Sequence, residues 1–479
     1  MPQSPRPFLI GGEWRTAKER SNAVLDVRNP FDGSLVDRTS TASPHDLDEA
    51  LQGALEGFRE TSQLASYERS EILSNISRLI HERREDFAQL ITAEAGKPIQ
   101  FSRGEADRAA LTFQIASEEA KRIGGEVLPL DLAAASKDRW GIVRRFPIGV
   151  ILAISPFNFP LNLVAHKVAP AIASGNAFIL KPPSQAPLTS LLLGEIILAA
   201  GFPKKGFSVV PCSGASIERL VRDDRIAMVT FTGSPAVGWP LKERAGRKRV
   251  VLELGGNAGV IVDQSADLEA AVKKNVLGAF VYAGQVCIKV QRVYVHQSLY
   301  DRYVERFVQL TKTVGVGDPK QDSTVVGPVI DDAAAERIEA WIREARDGGA
   351  RVLVGGERKG RVIPPTVLVD VSRDMKVFAQ EVFGPVVTLH RFSTIEEAVA
   401  GVNDSAFGLQ AGIFSNDFRN ILYAYRHLEV GGVIVNDNAT YRIDHMPYGG
   451  VKQSGFGREG LKYAINEMTE PRLLAIHTL

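Results

Sequence analysis

Five short apolar runs decide the fold class, and they stand at residues 150–154 (VILAI), 177–180 (AFIL), 207–211 (FSVVP), 226–231 (IAMVTF) and 250–254 (VVLEL). The runs are almost entirely apolar rather than alternating, which is typical of strands that a parallel sheet buries on both faces. Helical patterns lie between them, for example at 188–200 and 235–245. Strands that alternate with helices predict a Rossmann-like, doubly wound α/β domain. Ligands of such a sheet bind beyond the carboxyl ends of the strands, so the residues that follow each run are the candidate site residues.

The sequence on either side of this block predicts further helices and a second domain. Residues 43–123 read as helical, and Ser43, Pro44 and Asp46 form a capping-box pattern at their start. A second α/β pattern runs from about 258 to 435, with apolar runs at 259–262, 291–295 and 386–389. We therefore expect a second α/β domain after the first.

The composition of the 479 residues is that of a globular protein, with 44% hydrophobic and 24% charged residues. The formal net charge of +1 argues against a nucleic-acid partner. No run approaches the roughly 18 apolar residues of a membrane-spanning helix. The apolar patch at residues 8–10 is too short for the core of a signal peptide. We therefore expect a cytoplasmic protein without a nucleic-acid or membrane partner.

The chain has two cysteines, Cys212 and Cys287. This number excludes a disulfide scaffold and a four-cysteine zinc site, and we expect no metal centre. In a reducing compartment each cysteine is either a buried core thiol or a reactive nucleophile. Cys212 ends an apolar strand and matches no catalytic block, so we interpret it as a core residue.

Six sequence blocks carry a resemblance to a known family, namely 155–160 (SPFNFP), 181–184 (KPPS), 231–234 (FTGS), 253–256 (ELGG), 284–287 (GQVC) and 381–385 (EVFGP). With residues 447–455 (PYGGVKQSG), they resemble the NAD(P)-dependent aldehyde dehydrogenase superfamily over nearly the whole chain. Residues 441–447 (YRIDHMP) resemble its lactaldehyde and phosphonoacetaldehyde dehydrogenase-like branch. The resemblance implies an enzyme that oxidises an aldehyde to the carboxylic acid with NAD(P)+ through a cysteine thiohemiacetal and a thioester.

Three residues match the catalytic positions of that family. Cys287 resembles the nucleophile, Glu253 the general base that activates water, and Asn158 the amide of the oxyanion hole. The alternatives are a buried structural thiol, a salt-bridge carboxylate at a strand end and a turn asparagine. A cysteine hydrolase or acyltransferase is a rival function, and so is a non-catalytic relative of the fold. None of the eight histidines lies in the cysteine block, which weighs against a cysteine hydrolase.

The resemblance also implies a dinucleotide site. Lys181 resembles the lysine that holds the adenosine ribose, Ser234 would lie at a helix start suited to the pyrophosphate, and Glu381 resembles the carboxylate that binds the nicotinamide ribose. NAD-specific relatives carry glutamate where this chain has Ser184, so we expect NADP to be tolerated or preferred over NAD. The remaining predicted cofactor residues are Ser155, Pro156, Phe157, Gly233, Leu254 and Phe383.

Three basic residues are candidates for contacting the substrate. Arg108 and His166 stand where relatives acting on phosphorylated or phosphonylated aldehydes have anion contacts, and Arg442 precedes the closing block. A solvated helix arginine and a satisfied core histidine are the alternatives for the first two. We expect a small, polar or anionic, aliphatic aldehyde as the substrate.

The family architecture implies three parts. Residues 1–121 and 145–253 would form the NAD(P)-binding domain, and residues 254–445 the catalytic domain. Residues 122–144 and 446–479 would form a small oligomerisation β-flap and a C-terminal tail, whose alternating residues 472–477 could add a strand to a neighbouring subunit. A homodimer or homotetramer is the implied assembly.

Overall fold

A computed structural model describes residues 4–17 and 24–478. Of these, the residues before 148 form the following strands and helices: β1 (Phe8–Ile10), β2 (Glu13–Arg15), β3 (Val24–Arg28), β4 (Leu35–Ser40), α1 (Pro44–Thr61), α2 (Ser66–Glu82), α3 (Arg84–Ala95), α4 (Ile99–Ala120), β5 (Gly125–Pro129) and β6 (Arg139–Pro147). The predicted capping box is confirmed, since the Ser43 side chain accepts from the Asp46 N–H and the Asp46 carboxylate accepts from the Ser43 N–H.

The five predicted strands all form, in alternation with helices. Their bounds are β7 (Val150–Ile154), α5 (Asn162–Ala173), β8 (Ala177–Lys181), α6 (Leu188–Ala199), β9 (Phe207–Val209), α7 (Gly214–Arg222), β10 (Ile226–Thr232), α8 (Pro235–Arg244) and β11 (Arg249–Glu253). They pair in parallel in the order β9-β8-β7-β10-β11. The chain leaves β7 first towards β8 and later towards β10, so a crevice opens at the carboxyl ends of β7 and β10.

The second α/β unit follows at once. It comprises β12 (Ala258–Val262), α9 (Leu268–Phe280), β13 (Val290–His296), α10 (Tyr300–Thr311), α11 (Asp332–Asp347), β14 (Arg351–Val354), β15 (Thr366–Val369), α12 (Lys376–Ala379), β16 (Val386–Phe392), α13 (Ile395–Asn403), β17 (Phe407–Gly408), β18 (Gln410–Phe414), α14 (Phe418–His427) and β19 (Gly432–Val435). Its sheet has the order β14-β15-β16-β13-β12-β18-β19 and is parallel except at β14. The predicted α/β class is confirmed for both units.

The C-terminal segment returns to the first unit. It forms β20 (Val451–Lys452), β21 (Gly455–Phe456), α15 (Leu461–Glu467) and β22 (Thr469–His477). β21 extends the first sheet beside β11, and Leu461, Ile465 and Met468 join the first hydrophobic core. Part of the segment predicted as a tail therefore packs on the first unit. The first sheet also gains β1 and β2 on its other edge.

The strand at the C-terminus pairs within the same chain. β22 lies antiparallel to β6 along its whole length, and β5 completes a three-stranded sheet. The Asn176 side chain links the ends of these two strands: its Oδ1 accepts from the Ile148 and Gly149 N–H groups just beyond β6, and its Nδ2 donates to the Met468 carbonyl just before β22. The predicted domain bounds stay a prediction. The predicted boundary between residues 144 and 145 falls within β6.

No helix in the described ranges, 4–17 and 24–478, is both long and apolar enough to cross a membrane.

Candidate active site

A left-handed turn presents Cys287. After α9, Tyr282, Ala283 and Gly284 all have positive φ angles, of 54°, 52° and 67°. Two of them are not glycine, and such residues cost of order 1–3 kcal/mol each unless their surroundings hold them. Here the Tyr282 N–H donates to the Val325 carbonyl and its O–H to the Ala95 carbonyl, both at 3.1 Å. These two hydrogen bonds of Tyr282 hold the strained turn in place.

The Cys287 thiol lies beside one hydrogen-bonding partner. Its Sγ is 3.0 Å from the Tyr448 Oη. Burial raises the pKa of Cys287 to about 11, although the Tyr448 hydrogen bond and the Arg442 charge oppose that rise. The guanidinium of Arg442 stacks over the Tyr448 ring, 3.6 Å from its centroid.

Asn158 is held beside the same turn. It follows β7, is 3% exposed, and its Nδ2 donates to the Gln285 carbonyl at 2.9 Å. A side-chain amide has two donor hydrogens, so one remains for a ligand. Asn158 and Cys287 are 129 positions apart in the sequence, and this hydrogen bond brings the amide to within two residues of the nucleophile.

Glu253 ends β11 as a buried carboxylate. It is 2% exposed, and neither of its oxygens has a hydrogen-bond partner among the described residues. Burial and the nearby Glu459 charge raise its pKa well above the ordinary value. The left-handed Gly449 lies against it, since a Cβ there would be 2.8 Å from Glu253 Oε1. A buried carboxylate without partners and with a raised pKa suits a general base.

A buried ionic group lies close to Glu253. Lys167 Nζ donates to Glu459 Oε1 at 2.9 Å and to Thr230 Oγ1 at 3.2 Å, and Arg442 Nη2 donates to Glu459 Oε2 at 3.2 Å. Burial alone would raise the pKa of Glu459, but the two cations bring it below its ordinary value. Glu459 is therefore ionised, and its charge is one cause of the raised pKa of Glu253.

The crevice beyond β7 and β10 is a cavity of about 360 Å³. Seven of the predicted cofactor residues line it: Ser155, Pro156, Phe157, Lys181, Ser184, Gly233 and Ser234. The hydroxyls of Ser155 and Thr232, which also lines the cavity, are buried without a partner among the described residues. Ser234 is the N-cap of α8, whose first amides are suited to an anion. These unpaired groups fit a dinucleotide with its pyrophosphate at α8.

The three other predicted cofactor residues lie apart from this cavity's lining. Glu381 Oε1 accepts from the Gly256 N–H at 2.9 Å, and burial raises its pKa to about 7. Phe383 meets Phe157 edge-to-face, with 6.1 Å between ring centroids. Leu254 is buried in the first core and packs on α8.

Two of the three predicted substrate residues, Arg108 and His166, meet at a carboxylate that the sequence reasoning did not include. Asp444 accepts from Arg108 Nη2 at 2.7 Å, from Asn162 Nδ2 at 3.2 Å, and lies 2.8 Å from His166 Nε2. Burial opposes its ionisation, but the His166 and Arg108 contacts hold the pKa of Asp444 below the ordinary value. Arg108 keeps a third of its side chain exposed, whereas His166 is buried. Arg108 is therefore paired as well as partly exposed, His166 is a buried histidine with a carboxylate partner, and their contact with substrate stays a prediction.

Cys212 lies in the first hydrophobic core, 4% exposed. Burial raises its pKa to about 12, which keeps it a thiol at neutral pH. Its interpretation as a core residue agrees with this position.

The aldehyde dehydrogenase family model matches residues 14–474 of this chain. The chain belongs to the aldehyde dehydrogenase family. The predicted family, fold and reaction class are thereby confirmed.

Curated relatives of the dehydrogenase cover nearly its whole length. It is 45% identical to 3-sulfolactaldehyde dehydrogenase of Priestia megaterium, over 98% of each chain. It is 38% identical to lactaldehyde dehydrogenase of Methanocaldococcus jannaschii, over 98% of this chain and 100% of the relative.

Solved structures agree with the fold of the dehydrogenase. Aldehyde dehydrogenase 21 from Physcomitrella patens, in complex with the product succinate, has a TM-score of 0.96 and 42% identity over 99% of both chains. NADP-dependent glyceraldehyde-3-phosphate dehydrogenase from Bacillus halodurans, complexed with NADP, has a TM-score of 0.96 and 36% identity over 99% of this chain and 100% of that one.

Sequence reasoning missed three side chains of the dehydrogenase's site, namely Tyr448, Asp444 and Glu459. Tyr448 stands in the closing block but was not singled out. Asp444 and Glu459 are separated from Arg108 and Lys167 by 336 and 292 positions, respectively, and only the fold joins them. Glu459 lies inside residues 455–460 (GFGREG), which match a GxGxxG pattern but support Glu253 rather than a dinucleotide.

Proposed function

We propose that the dehydrogenase oxidises a small, polar or anionic, aliphatic aldehyde to its carboxylic acid with NADP+ or NAD+. The observation that carries this proposal is the meeting of Cys287, Asn158 and an unpartnered Glu253 beside a crevice suited to a dinucleotide. Conventional structural roles do not explain a buried carboxylate without a partner.

The proposed chemistry starts at Cys287. Its thiol releases a proton to water, the sulfur bonds to the carbonyl carbon, and the carbonyl oxygen takes up negative charge. The free N–H of the Asn158 amide stabilises that oxygen, a contribution of about 3 kcal/mol for one such donor. A nicotinamide dinucleotide held in the crevice by Lys181 and Ser234 would supply the hydride acceptor, and loss of hydride from the carbonyl carbon would leave the acyl group on sulfur as a thioester. Glu253 then takes a proton from the water that cleaves the thioester to acid and thiol.

The cofactor proposal depends on residue 184. Ser184 is exposed at the cavity and carries no charge. A 2′-phosphate near Ser184 would meet no repelling carboxylate from that position, so NADP is accepted or preferred. Lys181, whose pKa burial lowers, lines the same cavity and supplies an amine for the ribose.

The substrate proposal rests on the cluster around Asp444 and on the relatives. The named substrates of two relatives, 3-sulfolactaldehyde and lactaldehyde, are small polar aldehydes. Arg108 keeps part of its guanidinium exposed, and the Arg442 Nε has no partner among the described residues. We assign these two arginines, with His166, to the polar or anionic end of the aldehyde.

The test of this function is Glu253→Gln, assayed with a panel of short aldehydes and both cofactors. Wild-type protein should form NAD(P)H continuously. The variant should form a burst of about one equivalent per site and then stall, because the thioester is no longer hydrolysed. Cys287→Ser should abolish the burst. A variant that turns over at the wild-type rate would refute the role of Glu253, and absence of any NAD(P)H would refute the function.

We also propose that the protein is a homodimer or homotetramer in the cytoplasm. The three-stranded sheet and its β5–β6 loop carry exposed apolar side chains, including Val127 (72%), Leu132 (84%) and Leu474 (58%), and β22 lies at the edge of the sheet. Such a surface is typical of an interface. A reducing compartment keeps Cys287 from oxidation. Analytical ultracentrifugation tests the assembly, and a monomer would refute it.

A further inference from the structure

A buried ion pair outside the catalytic steps lies behind the site. Lys97 and Glu105 are bonded to each other, with side chains 1% and 0% exposed. Burial lowers the pKa of Lys97 to about 8 while the Glu105 charge opposes that shift, so the ammonium prevails at neutral pH. A buried pair of charges costs desolvation and is a poor source of stability by itself. The role of the Lys97–Glu105 pair is therefore inferred from the other contacts of the two side chains.

Glu105 holds the start of the helix that follows Asn158. Its Oε1 accepts from the N–H groups of Leu161 at 2.9 Å and Asn162 at 3.1 Å. These amides lie at the N-terminus of α5, where a carboxylate is favoured by the helix dipole. The short loop from Asn158 to α5 is thereby fixed at its far end.

Lys97 contacts two aromatic rings, one from the segment of Asn158 and one from the turn that precedes Cys287. Its Nζ lies 3.5 Å from the centroid of the Phe159 ring, directly after Asn158, and 4.8 Å from that of Tyr282 in the nucleophile turn. The two rings meet edge-to-face at 6.5 Å. Phe159 and Cys287 also pack against one apolar cluster, whose members are Val286, Ile288, Leu409 and Tyr448.

We propose that the Lys97–Glu105 pair sets the separation between the Asn158 amide and the Cys287 sulfur, with Lys97 as a positioning residue for the oxyanion site. One ion pair holds the Asn158 loop through Glu105 and the nucleophile turn through the two rings. This proposal rests on the roles proposed above for Asn158 and Cys287. Positioning matters because a displacement of about 1 Å can cost about a hundredfold in rate.

The test is a double-mutant cycle of Lys97→Met with Asn158→Ala, measured as the single-turnover rate of NAD(P)H formation at saturating aldehyde and cofactor. Lys97→Met alone should lower the rate about tenfold, with cofactor Kd unchanged within about twofold. In the Asn158→Ala background the same substitution should lower the rate less than about twofold, because no amide remains to be positioned. Equal losses in both backgrounds, or no loss in either, would overturn the proposal.

Two further variants complete the design. Glu94→Gln is the matched control, since Glu94 is a fully buried carboxylate that accepts from the Leu188 and Thr189 N–H groups at the start of α6, which carries no site residue. It should leave the rate unchanged. If Lys97→Met does not fold, Lys97→Met combined with Glu105→Gln removes both charges and keeps an acceptor for α5, and the same coupling is expected. Failure of the proposed function is distinguishable, because the wild type would then form no NAD(P)H, and failure of the Asn158 role would leave the rate unchanged in Asn158→Ala alone.

Discussion

Replacing Tyr448 with phenylalanine removes the hydroxyl that lies beside the Cys287 thiol. The Tyr448 Oη is 3.0 Å from the Cys287 Sγ, and donation from this hydroxyl favours the thiolate. The phenylalanine ring keeps the surface over which the Arg442 guanidinium stacks at 3.6 Å. The substitution therefore isolates the hydrogen bond from the packing.

The size of the effect follows from the charge on the acceptor. A hydrogen bond to a charged group contributes about 1.5–3 kcal/mol, which corresponds to a rise of roughly 1–2 units in the pKa of Cys287. Burial already raises that pKa to about 11, so near neutral pH the thiolate is a small fraction that grows tenfold per pH unit. Each further unit of pKa lowers the thiolate fraction about tenfold, and the greater nucleophilicity of the more basic thiolate returns about threefold. We expect alkylation at pH 8 to slow by about 3- to 10-fold.

The assay is the rate of iodoacetamide alkylation of the protein without cofactor, followed from pH 7 to 9.5. Cys287→Ser gives the background from Cys212, whose pKa of about 12 and burial keep it unreactive. Tyr303→Phe is the matched control, because the Tyr303 hydroxyl is also buried and is hydrogen-bonded to Asn275. Its alkylation rate should equal that of the wild type. An unchanged rate for Tyr448→Phe at every pH would refute the hydrogen bond as a determinant of the thiol's pKa.

Two further predictions concern the cofactor and the substrate. Ser184→Glu should lower kcat/KM for NADP+ about 30-fold relative to NAD+. Two unit charges about 4 Å apart in water repel by about 1 kcal/mol, and a 2′-phosphate carries nearly two negative charges. An unchanged ratio of kcat/KM for the two cofactors would contradict the placement of the adenosine ribose at Ser184. Arg108→Gln should raise KM about tenfold for an anionic aldehyde but leave KM for propanal within about twofold, with Arg103→Gln on the same helix as the control. Equal effects of Arg108→Gln on both aldehydes would remove Arg108 from the substrate site.

The first sheet was predictable because its parallel strands are buried on both faces. β7, β8 and β10 begin and end within one residue of the apolar runs. The second sheet was only partly visible: β18 and β19 contain Gln410, Gly412 and Gly432, which break an apolar run. The apolar residues of β22 alternate only weakly, and no local sequence pattern indicates its pairing with β6.

The roles of the candidate catalytic residues stay predictions. The residues themselves were identifiable from the sequence because each stands in a short block that resembles the family. Their electrostatic surroundings were not, because the charges come from distant parts of the chain. Arg108 and Asp444 are 336 residues apart, and Lys167 and Glu459 are 292 residues apart. The position of a charged residue in a single sequence does not identify its partner. The sequence therefore left alternative interpretations open for both Arg108 and His166.

The charged side chains near Glu253 shift the pKa of its carboxyl in opposite directions. Lys167 and Arg442 both bond to Glu459, and Arg108 bonds to Asp444. Burial and the Glu459 charge raise the pKa of Glu253, whereas the charges of Arg442, Lys167 and Arg458 oppose that rise. The positive charge of Arg442 would therefore act on an anionic aldehyde as well as on the Glu253 carboxyl.

The same positive charge also favours ionisation of the base. Arg442 and Lys167 lower the pKa of Glu253 against the effects of burial and Glu459. An anion bound at Arg442 cancels part of that effect, so the pKa of Glu253 rises while such a substrate is in place. Departure of the anionic product would reverse the shift. Hydrolysis of the thioester should therefore need a higher pH with anionic than with neutral aldehydes, because Arg442 acts on both the substrate end and the base.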